Sequence, residues 1–540
     1  MMHMRVVCAT AFLGSSLWLL PTPVLAQAEQ ENVPLIMLTP QGAGISASHL
    51  RKLYASLKRR SRTATSQVLP LTKTQVWTVP KEEVEGVRKA AAQHGVVMSR
   101  LSATWNRVFD KAPADAKINE RQKLIMDRAK ASAATMAVGL MAVPPPPMVE
   151  YALTKDASTP AASQGMAKIA VQLSDNTLLS ITRTGVEVKP HMAIWHGTVD
   201  GTDTPVTIMW WPDGRMTGTV QHAGRLYSIR HLGGKLHAVV EMGEDRMPPE
   251  HAPMSPAKRA QHADLADDPL VTQGDASSLR PITVGMRTLA PEDFGTKERR
   301  DLAKVLRRIT RAKPKVAGSP DEVIIDVIIA YTKSAAASYS DVRRELVELA
   351  IEEANQSFRL SNLRHIKLRL ANAYQTDYVE QGEHFTHLWR FADKGDGHME
   401  EIHGLRDKHH ADVAVLIVDD ASGCGLATRV FAEEHDAFAV VHHGCAAASY
   451  SIAHEIGHLI GARHDPSTDK NTKPFPYGHG YVNGSKWRDI MSYKEPCGGC
   501  PRVPVWSSPT VTVRGERAGT SKNDNARVLT EQAARVAGFR

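Results

Sequence analysis

The sequence predicts an α+β protein in which a mixed α/β domain of about 220 residues follows an N-terminal half that is richer in strands. From residue 323 onward, short aliphatic runs that indicate buried strands alternate with amphipathic helical patterns. The N-terminal half contains short alternating segments separated by hairpin-type turns such as Asp213-Gly214. The chain has 540 residues, of which 42% are hydrophobic and 23% charged. This composition excludes a collagen-like, disulfide-dense or wholly disordered protein.

The N-terminal half is predicted to contain two structured units. Residues 75–80 have the pattern of a strand, and 82–94 that of a helix that Gly95 would end. The proline run Pro144–Pro147 is typical of a linker. The predicted order is a small α/β unit at about 34–110, a linker at about 111–165, a β-rich unit at about 166–246 with strands at 206–211, 216–220 and 226–229, and a second linker at 247–320 that ends in an exposed basic stretch suited to proteolysis.

The C-terminal domain, residues 321–540, is predicted from alternating strand and helix patterns. Its strands are short and aliphatic, as expected when both faces of a sheet are covered. The predicted elements are strands at 323–330, 367–374, 413–418 and 438–443, a short edge strand at 428–431, and helices at 341–360 and 446–460.

The first 26 residues have the features of a secretory signal. Arg5 is the only charge, an apolar run extends over 6–20, and small residues at 24–26 suit signal peptidase. No later run is long enough for a membrane anchor. We therefore expect an exported protein, periplasmic or extracellular, without a membrane anchor.

Charge is unevenly distributed along the chain, whose net charge is +8. Residues 321–540 carry 25 Lys and Arg against 30 Asp and Glu, whereas residues 27–320 have a net charge of +12. The two halves could therefore attract each other, or they could simply have unrelated solvated surfaces. The distribution argues against a nucleic-acid partner, which the high pI might otherwise suggest.

After removal of Cys8 with the signal, four cysteines remain, and three pairings are possible in an exported chain. We favour Cys424–Cys445 and Cys497–Cys500, because Gly498-Gly499 leaves the backbone free to close the tight second loop. A redox or zinc-binding Cys-x-x-Cys is the alternative.

The segment from 454 to 465 carries the chemistry. On a helix, His454 and His458 lie one turn apart on the same face, a spacing that suits two ligands of one tetrahedral Zn²⁺. Glu455 can reach a water in the open coordination position. Gly461 can end the helix in a left-handed turn and allow His464 to become the third ligand. The pattern predicts hydrolysis by a zinc-activated water, with Glu455 as general base.

A methionine-containing turn, Ile490-Met491-Ser492-Tyr493, follows His464. Together with His-Glu-x-x-His-x-x-Gly-x-x-His, it resembles the metzincin signature. The resemblance implies a twisted mixed sheet with an active-site helix, with Met491 as an apolar floor beneath the zinc. It also implies that Tyr493 binds zinc and moves to the oxyanion; the alternative is a buried tyrosine near the cleft.

Several further segments are similar to the secreted bacterial peptidyl-Asp metallopeptidases. The resemblance covers about 321–540 and implies an endopeptidase made as a zymogen that cleaves on the amino side of aspartate. Residues 27–320 would then be an attached pro-region. The similar segments are Ser422-Gly423-Cys424, Val441-His442-His443-Gly444-Cys445, Pro476-Tyr477-Gly478-His479-Gly480-Tyr481, Cys497-Gly498-Gly499-Cys500-Pro501-Arg502 and Asp524-Asn525-Ala526-Arg527.

An aspartate-binding pocket needs a cation, and Lys494, Arg502 and Arg463 are the candidates. His442 and His443 are not assigned as ligands, because a position at a strand end explains them. Residues 27–320 lack cysteine, so the pro-region cannot block zinc through a thiolate. We expect it to inhibit by docking over the cleft; a retained accessory domain is the alternative.

Three other functions compete with an Asp-specific protease. A metzincin endopeptidase of broader specificity acting on protein or peptide substrates is the main alternative. A zinc-dependent binding module would lack Glu455, which is present. A hydrolase of non-peptide substrates would not require the methionine turn. The sequence makes no prediction about Ca²⁺.

Overall fold

The computed structural model describes residues 32–38, 46–100, 106–155, 168–174, 176–250, 282–284, 287–289 and 322–540. The chain forms two compact units: Met1–Gln67 with Gln75–Leu101, and Val68–Thr74 with Ser102–Arg540. The predicted signal at 1–26 and the basic end of the predicted 247–320 linker lie outside the described residues.

The first unit is a four-stranded sheet with two helices, in the strand order β2-β3-β1-β4. Its core contains Leu35, Leu53, Trp77 and Val87, which are fully buried or nearly so. Gly95 has a φ of 69° just after the second helix, as a helix-ending glycine should. The elements are β1 Asn32–Leu38, α1 Ala47–Arg60, β2 Thr65–Val68, β3 Gln75–Pro80, α2 Val84–Ala92 and β4 Val97–Arg100.

The second unit begins with a closed barrel of nine strands, in the order β10-β11-β12-β13-β6-β5-β7-β8-β9. All neighbouring strands with assigned pairing are antiparallel except β5 and β7. The elements are β5 Arg107–Lys111, α3 Glu120–Ala131, β6 Thr135–Ala142, α4 Pro146–Thr154, β7 Lys168–Ser174, β8 Thr177–Val188, β9 Ala193–Val199, β10 Pro205–Trp210, β11 Met216–His222, β12 Arg225–Gly233 and β13 Leu236–Gly243.

The range 111–165, predicted as a linker, differs from that expectation where the structure describes it. It contains α3, β6 and α4, and β6 pairs with β13 and β5 to close the barrel. The proline run does not interrupt structure, because Pro146 occupies the first turn of α4, where a missing N–H is not needed. The barrel is therefore larger than the β-rich unit predicted at 166–246.

A five-stranded mixed sheet follows, in the order β17-β16-β18-β20-β19, with only the edge strand β19 antiparallel. The predicted α+β class is confirmed. The elements are β14 Ile282–Val284, β15 Arg287–Leu289, β16 Val323–Tyr331, α5 Lys333–Ala336, a π-helical turn Arg343–Val347, α6 Glu348–Leu360, β17 Ile366–Gln375, α7 His384–Ala392, α8 Glu401–His409, β18 Val413–Val418, β19 Gly425–Ala427, β20 Phe438–His442, α9 Ser451–Ile460, β21 Val482–Asn483, β22 Trp487–Arg488, β23 Ser508–Val513, β24 Glu516–Ala518 and α10 Asn525–Val536.

Two predicted elements near the site have different bounds. The edge strand lies at Gly425–Ala427 rather than at 428–431, because Phe431 has a φ of 63°, which a strand cannot contain. The site helix begins at Ser451 rather than at 446, because Tyr450 also has a left-handed backbone, with a φ of 61°.

The barrel packs directly on the C-terminal domain. Ile194 and Met209 of the barrel belong to the same apolar cluster as Val347 and Ile351, which lie in the π-helical turn and α6. Thr207 Oγ1 donates to Gln356 Oε1 at 2.7 Å. The contact is thus a shared apolar core with polar bonds, in addition to any attraction between net charges.

None of the helices within the described ranges is long and apolar enough to cross a bilayer.

Glu353 of α6 is a carboxyl group buried under the barrel, where Thr219 donates to it. Burial raises the pKa of Glu353 to about 8, while the Thr219 hydroxyl acts in the opposite direction. The folded chain therefore keeps a proton that the unfolded chain releases above its ordinary pKa of 4.5. This group's contribution to stability is lost as pH rises from about 4.5 to about 8.

We predict that Glu353→Gln removes this pH dependence, which amounts to at most about 1.4 kcal/mol per pH unit in the wild type. Thermal unfolding of the full chain between pH 5 and pH 8 measures it. Glu348→Gln, on the same helix but partly exposed, is the control. Parallel melting-temperature curves for wild type and Glu353→Gln would contradict the prediction.

Candidate metal centre and active site

Three imidazole rings converge beside α9, two from the helix itself and one from the chain that follows it. The distances between their Nε2 atoms are 3.1 Å for His454–His458, 3.2 Å for His454–His464 and 2.9 Å for His458–His464. All three residues are at most 4% exposed. Among the described residues, they form the one group with metal-ligand geometry.

Hydrogen bonds to backbone carbonyls orient two of the rings. His454 Nδ1 lies 2.9 Å from the carbonyl oxygen of Ile490, and His458 Nδ1 lies 2.9 Å from that of Ala462. A carbonyl can only accept, so each Nδ1 carries the proton and each Nε2 presents its lone pair. This tautomer is the one that a metal ligand requires.

A glycine turn brings the third histidine back to the helix. Gly461 has a φ of 134°, and a Cβ there would lie 2.9 Å from the Phe475 ring, so both backbone and space require glycine. Asn525 of α10 then holds the backbone of Arg463, accepting from its N–H at 3.2 Å and donating to its carbonyl at 2.9 Å. These bonds place His464 opposite His454.

The residues fit a zinc ion. Zn–N bonds of about 2.0–2.1 Å in a tetrahedral site place neighbouring nitrogens about 3.3–3.4 Å apart. The three observed separations are within a few tenths of an ångström of that range. Three neutral nitrogen donors are also the set that catalytic zinc uses, with a fourth position left for water.

Glu455 lies beside these ligands and is 1% exposed. The Ala427 backbone of β19 hydrogen-bonds to the Glu455 carboxylate. Gly425, in the same strand, packs so closely against this carboxylate that a Cβ on residue 425 would lie 2.3 Å from Glu455 Oε1. Its Oε2 has no hydrogen-bond partner within the described part of the chain. Burial raises the pKa of Glu455 well above its ordinary value, and the Arg502 guanidinium acts in the opposite direction. A bound cation would favour the carboxylate further.

The methionine turn lies beneath α9. Met491 is fully buried, and its Sδ would lie 3.2 Å from a Cβ at Gly457 on the helix. The adjacent Ile490 supplies the carbonyl that orients His454. The ring of Tyr493 lies 4.4 Å from the ring of His464, and its N–H donates to Asp465 Oδ2 at 3.3 Å. Asp465 therefore ties the turn to the third histidine.

The structure contains both favoured disulfides, Cys424–Cys445 and Cys497–Cys500. The first joins the start of the edge strand to the chain that leads into α9. The second closes the loop after the methionine turn. His442 and His443 lie at the end of β20, outside the metal group.

The three candidate cations occupy different surroundings. Arg463 is 2% exposed and pairs with Asp469 at 2.7 Å, so it stabilises the ligand loop. Lys494 is half-buried and precedes the 3₁₀ turn Glu495–Cys497. Arg502 lies near enough to Glu455 to influence its pKa. Of the three cations, Arg502 is the one that lowers the pKa of Glu455.

Sequence reasoning missed three residues beside Arg502. Arg488 is a second buried guanidinium, and Glu244 and Glu250 from the end of the barrel pair with it at 2.9 Å each. An HExxH-type pattern carries no information about them, since they are distant along the chain. The net charges of the two halves did not indicate these pairs either, because here the acidic residues come from the basic N-terminal half and the arginines from the acidic C-terminal half.

Comparison with known proteins defines the class first. Residues 321–506 match the model of a Metallo-peptidase family M12 domain, Reprolysin_5. The match contains the three histidines and Glu455, and the chain is a metalloendopeptidase.

Curated relatives then define the family. Peptidyl-Asp metalloendopeptidases from Xanthomonas campestris pv. campestris and Stenotrophomonas maltophilia strain R551-3 are each 33% identical, over 77% of this chain and 92% of theirs. That of Pseudomonas fragi is 34% identical over 35% of this chain and 100% of its own. The chain belongs to the family of bacterial peptidyl-Asp metalloendopeptidases. Metalloproteinase-II from Bacteroides fragilis, a solved structure, matches with a TM-score of only 0.29 and 14% identity, over 56% of this chain and 83% of that chain.

We predict that Gly425→Ala lowers kcat by about 10²-fold, because the new methyl group displaces the Glu455 carboxylate and misplacement of about 1 Å has this effect. Bound metal, measured by elemental analysis, should stay unchanged because no histidine moves. Gly404→Ala is the control, since its Cβ would meet nothing within 4 Å. Full activity in Gly425→Ala would contradict the assigned position of Glu455.

Proposed function

We propose that this metalloendopeptidase is a zinc enzyme that cleaves on the amino side of aspartate and is exported as a zymogen. The observation that carries the proposal is the buried set of three Nε2 atoms about 3 Å apart, with the Glu455 carboxylate beside them. Such a set can both bind a Lewis-acidic cation and move a proton.

His454, His458 and His464 would hold a zinc ion, which would supply Lewis acidity for activating water and the scissile carbonyl. Glu455 acts as general base: its carboxylate accepts a proton from the attacking water. It then donates this proton to the leaving amine, so that one carboxylate serves both steps. The Ala427 backbone and the close approach of Gly425 keep this group in place.

Tyr493 is assigned to oxyanion stabilisation. Its ring lies 4.4 Å from that of His464, and its backbone is fixed to Asp465. A phenol in this position can donate a hydrogen bond to the oxygen on which negative charge develops. The contribution of one such donor is typically about 10²–10³ in rate.

The preference for aspartate is supported by the family and by charge. The relatives are named for peptidyl-Asp cleavage. Arg502, 5% exposed, lies near Glu455, where a substrate carboxylate would need a cationic partner. The second candidate function is a metalloendopeptidase of broader specificity, as the HExxH-type site by itself would support.

Export and latency complete the proposal. The features of residues 1–26 support export, and the barrel supports latency by packing on α6 of the catalytic domain. Residues 27–320 would then act as an intramolecular inhibitor. Release of the catalytic domain would require cleavage between the barrel and residue 321.

We predict that Glu455→Gln lowers kcat by at least about 10²-fold, because an amide cannot accept the proton from water. The zinc content should stay at the wild-type level, since the three histidines are unchanged. Stopped assays on a peptide containing one aspartate, together with elemental analysis, measure both effects. Loss of zinc from the variant, or activity close to wild type, would contradict the role of Glu455.

Mapping of cut sites tests specificity. The naturally processed enzyme is incubated with a mixed peptide library, beside a chelated sample and Glu455→Gln, and mass spectrometry identifies every new terminus. We expect at least about nine-tenths of the cuts to precede aspartate, and none in the controls. Zinc-dependent cuts spread over many residue types would favour the second candidate function.

A further inference from the structure

The end of the barrel and the segments on either side of the methionine turn form a buried ionic cluster. Glu250 Oε1 lies 2.9 Å from Arg488 Nη1 and 3.0 Å from Arg502 Nη2. Glu244 Oε1 lies 2.9 Å from Arg488 Nη2 and accepts a hydrogen bond from the backbone N–H of Arg502 at 3.2 Å. The two arginine side chains are 2% and 6% exposed, and the two glutamates 14% and 11%.

The backbone beside Glu250 is bound to the edge of the catalytic sheet. The Cys424 N–H donates to the Pro249 carbonyl at 2.7 Å. Cys424 immediately precedes β19, whose first residue, Gly425, directly contacts Glu455. The segment 248–250 therefore lies on the edge strand next to the catalytic carboxylate, where an extended substrate could add to the sheet.

Two buried guanidinium groups need a carboxylate partner. Backbone carbonyls accept only some of the hydrogen bonds that each guanidinium can donate. The Ser492 carbonyl accepts from Arg488 at 2.8 Å, and the Ser449 carbonyl accepts from Arg502 at 2.7 Å. An unpaired buried charge is strongly unfavourable, whereas a paired one is tolerated. If Glu250 leaves with the barrel, another carboxylate must bind or water must enter.

We propose that Arg488 and Arg502 form the pocket that binds the acidic side chain of the substrate, and that Glu250 of the same chain occupies this pocket before processing. The proposal rests on the proposed function and deepens it. Glu250 blocks the cleft as a substrate mimic, because its carboxylate lies where the substrate carboxylate would bind. The Pro249 carbonyl accepts the hydrogen bond from the Cys424 N–H, which a substrate backbone would otherwise accept. Removal of the segment with the barrel then both opens the cleft and frees the specificity pocket.

Binding rather than cleavage tests the proposal. The full chain carrying Glu455→Gln, which cannot hydrolyse peptides under the proposed function, is titrated with a fluorescent peptide containing one Asp and with the same peptide containing Asn. Anisotropy gives both values of Kd. Intact mass confirms that the barrel remains attached.

We expect Glu250→Ala in this chain to tighten binding of the Asp peptide at least tenfold and to leave the Asn peptide unchanged, because the freed pocket recognises a carboxylate. Glu250→Gln, which preserves side-chain volume, should give the same direction of change and carries the test if the Ala variant fails to fold. Glu250→Asp retains a carboxylate and should change Kd less than threefold. Asp245→Asn removes a nearby exposed charge and is the control.

Unchanged Kd in both Glu250→Ala and Glu250→Gln would overturn the proposal, as would equal gains for the Asp and Asn peptides. The cut-site map of the processed enzyme separates this failure from that of the proposed function. If the processed enzyme cuts before aspartate but the Glu250 variants bind the Asp peptide no more tightly, the proposed function stands. Only the role of Glu250 as a substrate mimic is then wrong.

Discussion

The convergence of three imidazole nitrogens to about 3 Å is the constraint on which the C-terminal domain depends. Neutral donors so close together are favourable only with a cation between them, so the protein must hold the rings before metal binds. The Ile490 and Ala462 carbonyls fix two rings, and Gly461 reverses the chain for the third. Much of the sequence from 451 to 525 serves this geometry.

A second constraint is the close contact between the edge strand and α9. Gly425 has no space for a side chain, since Glu455 fills it, and the Cys424–Cys445 disulfide fixes the strand where it meets the helix. The edge strand thus fixes the position of Glu455, the proposed general base. The Cys424 N–H, at the start of the same edge, donates to the Pro249 carbonyl, so the strand beside Glu455 also contacts the segment that follows the barrel.

Sequence could predict the parts that local patterns encode. Strand 413–418 has the same bounds in the structure, because its unbroken aliphatic run has only one stable placement. The histidine spacing indicated the metal site for a similar reason, since two residues that are four positions apart on a helix lie on the same face. By contrast, β6 and α4 were missed because barrel closure is non-local, and the Glu250 contacts join residues far apart in the chain.

If His454, His458 and His464 bind one zinc ion, the shell around that ion contains no sulfur. X-ray absorption at the zinc edge of the purified, naturally processed enzyme measures this shell. We predict about one zinc per chain, with nitrogen or oxygen neighbours at about 2.0–2.1 Å. A shell with sulfur at about 2.3 Å would place the metal on the cysteines and would contradict zinc binding by these histidines.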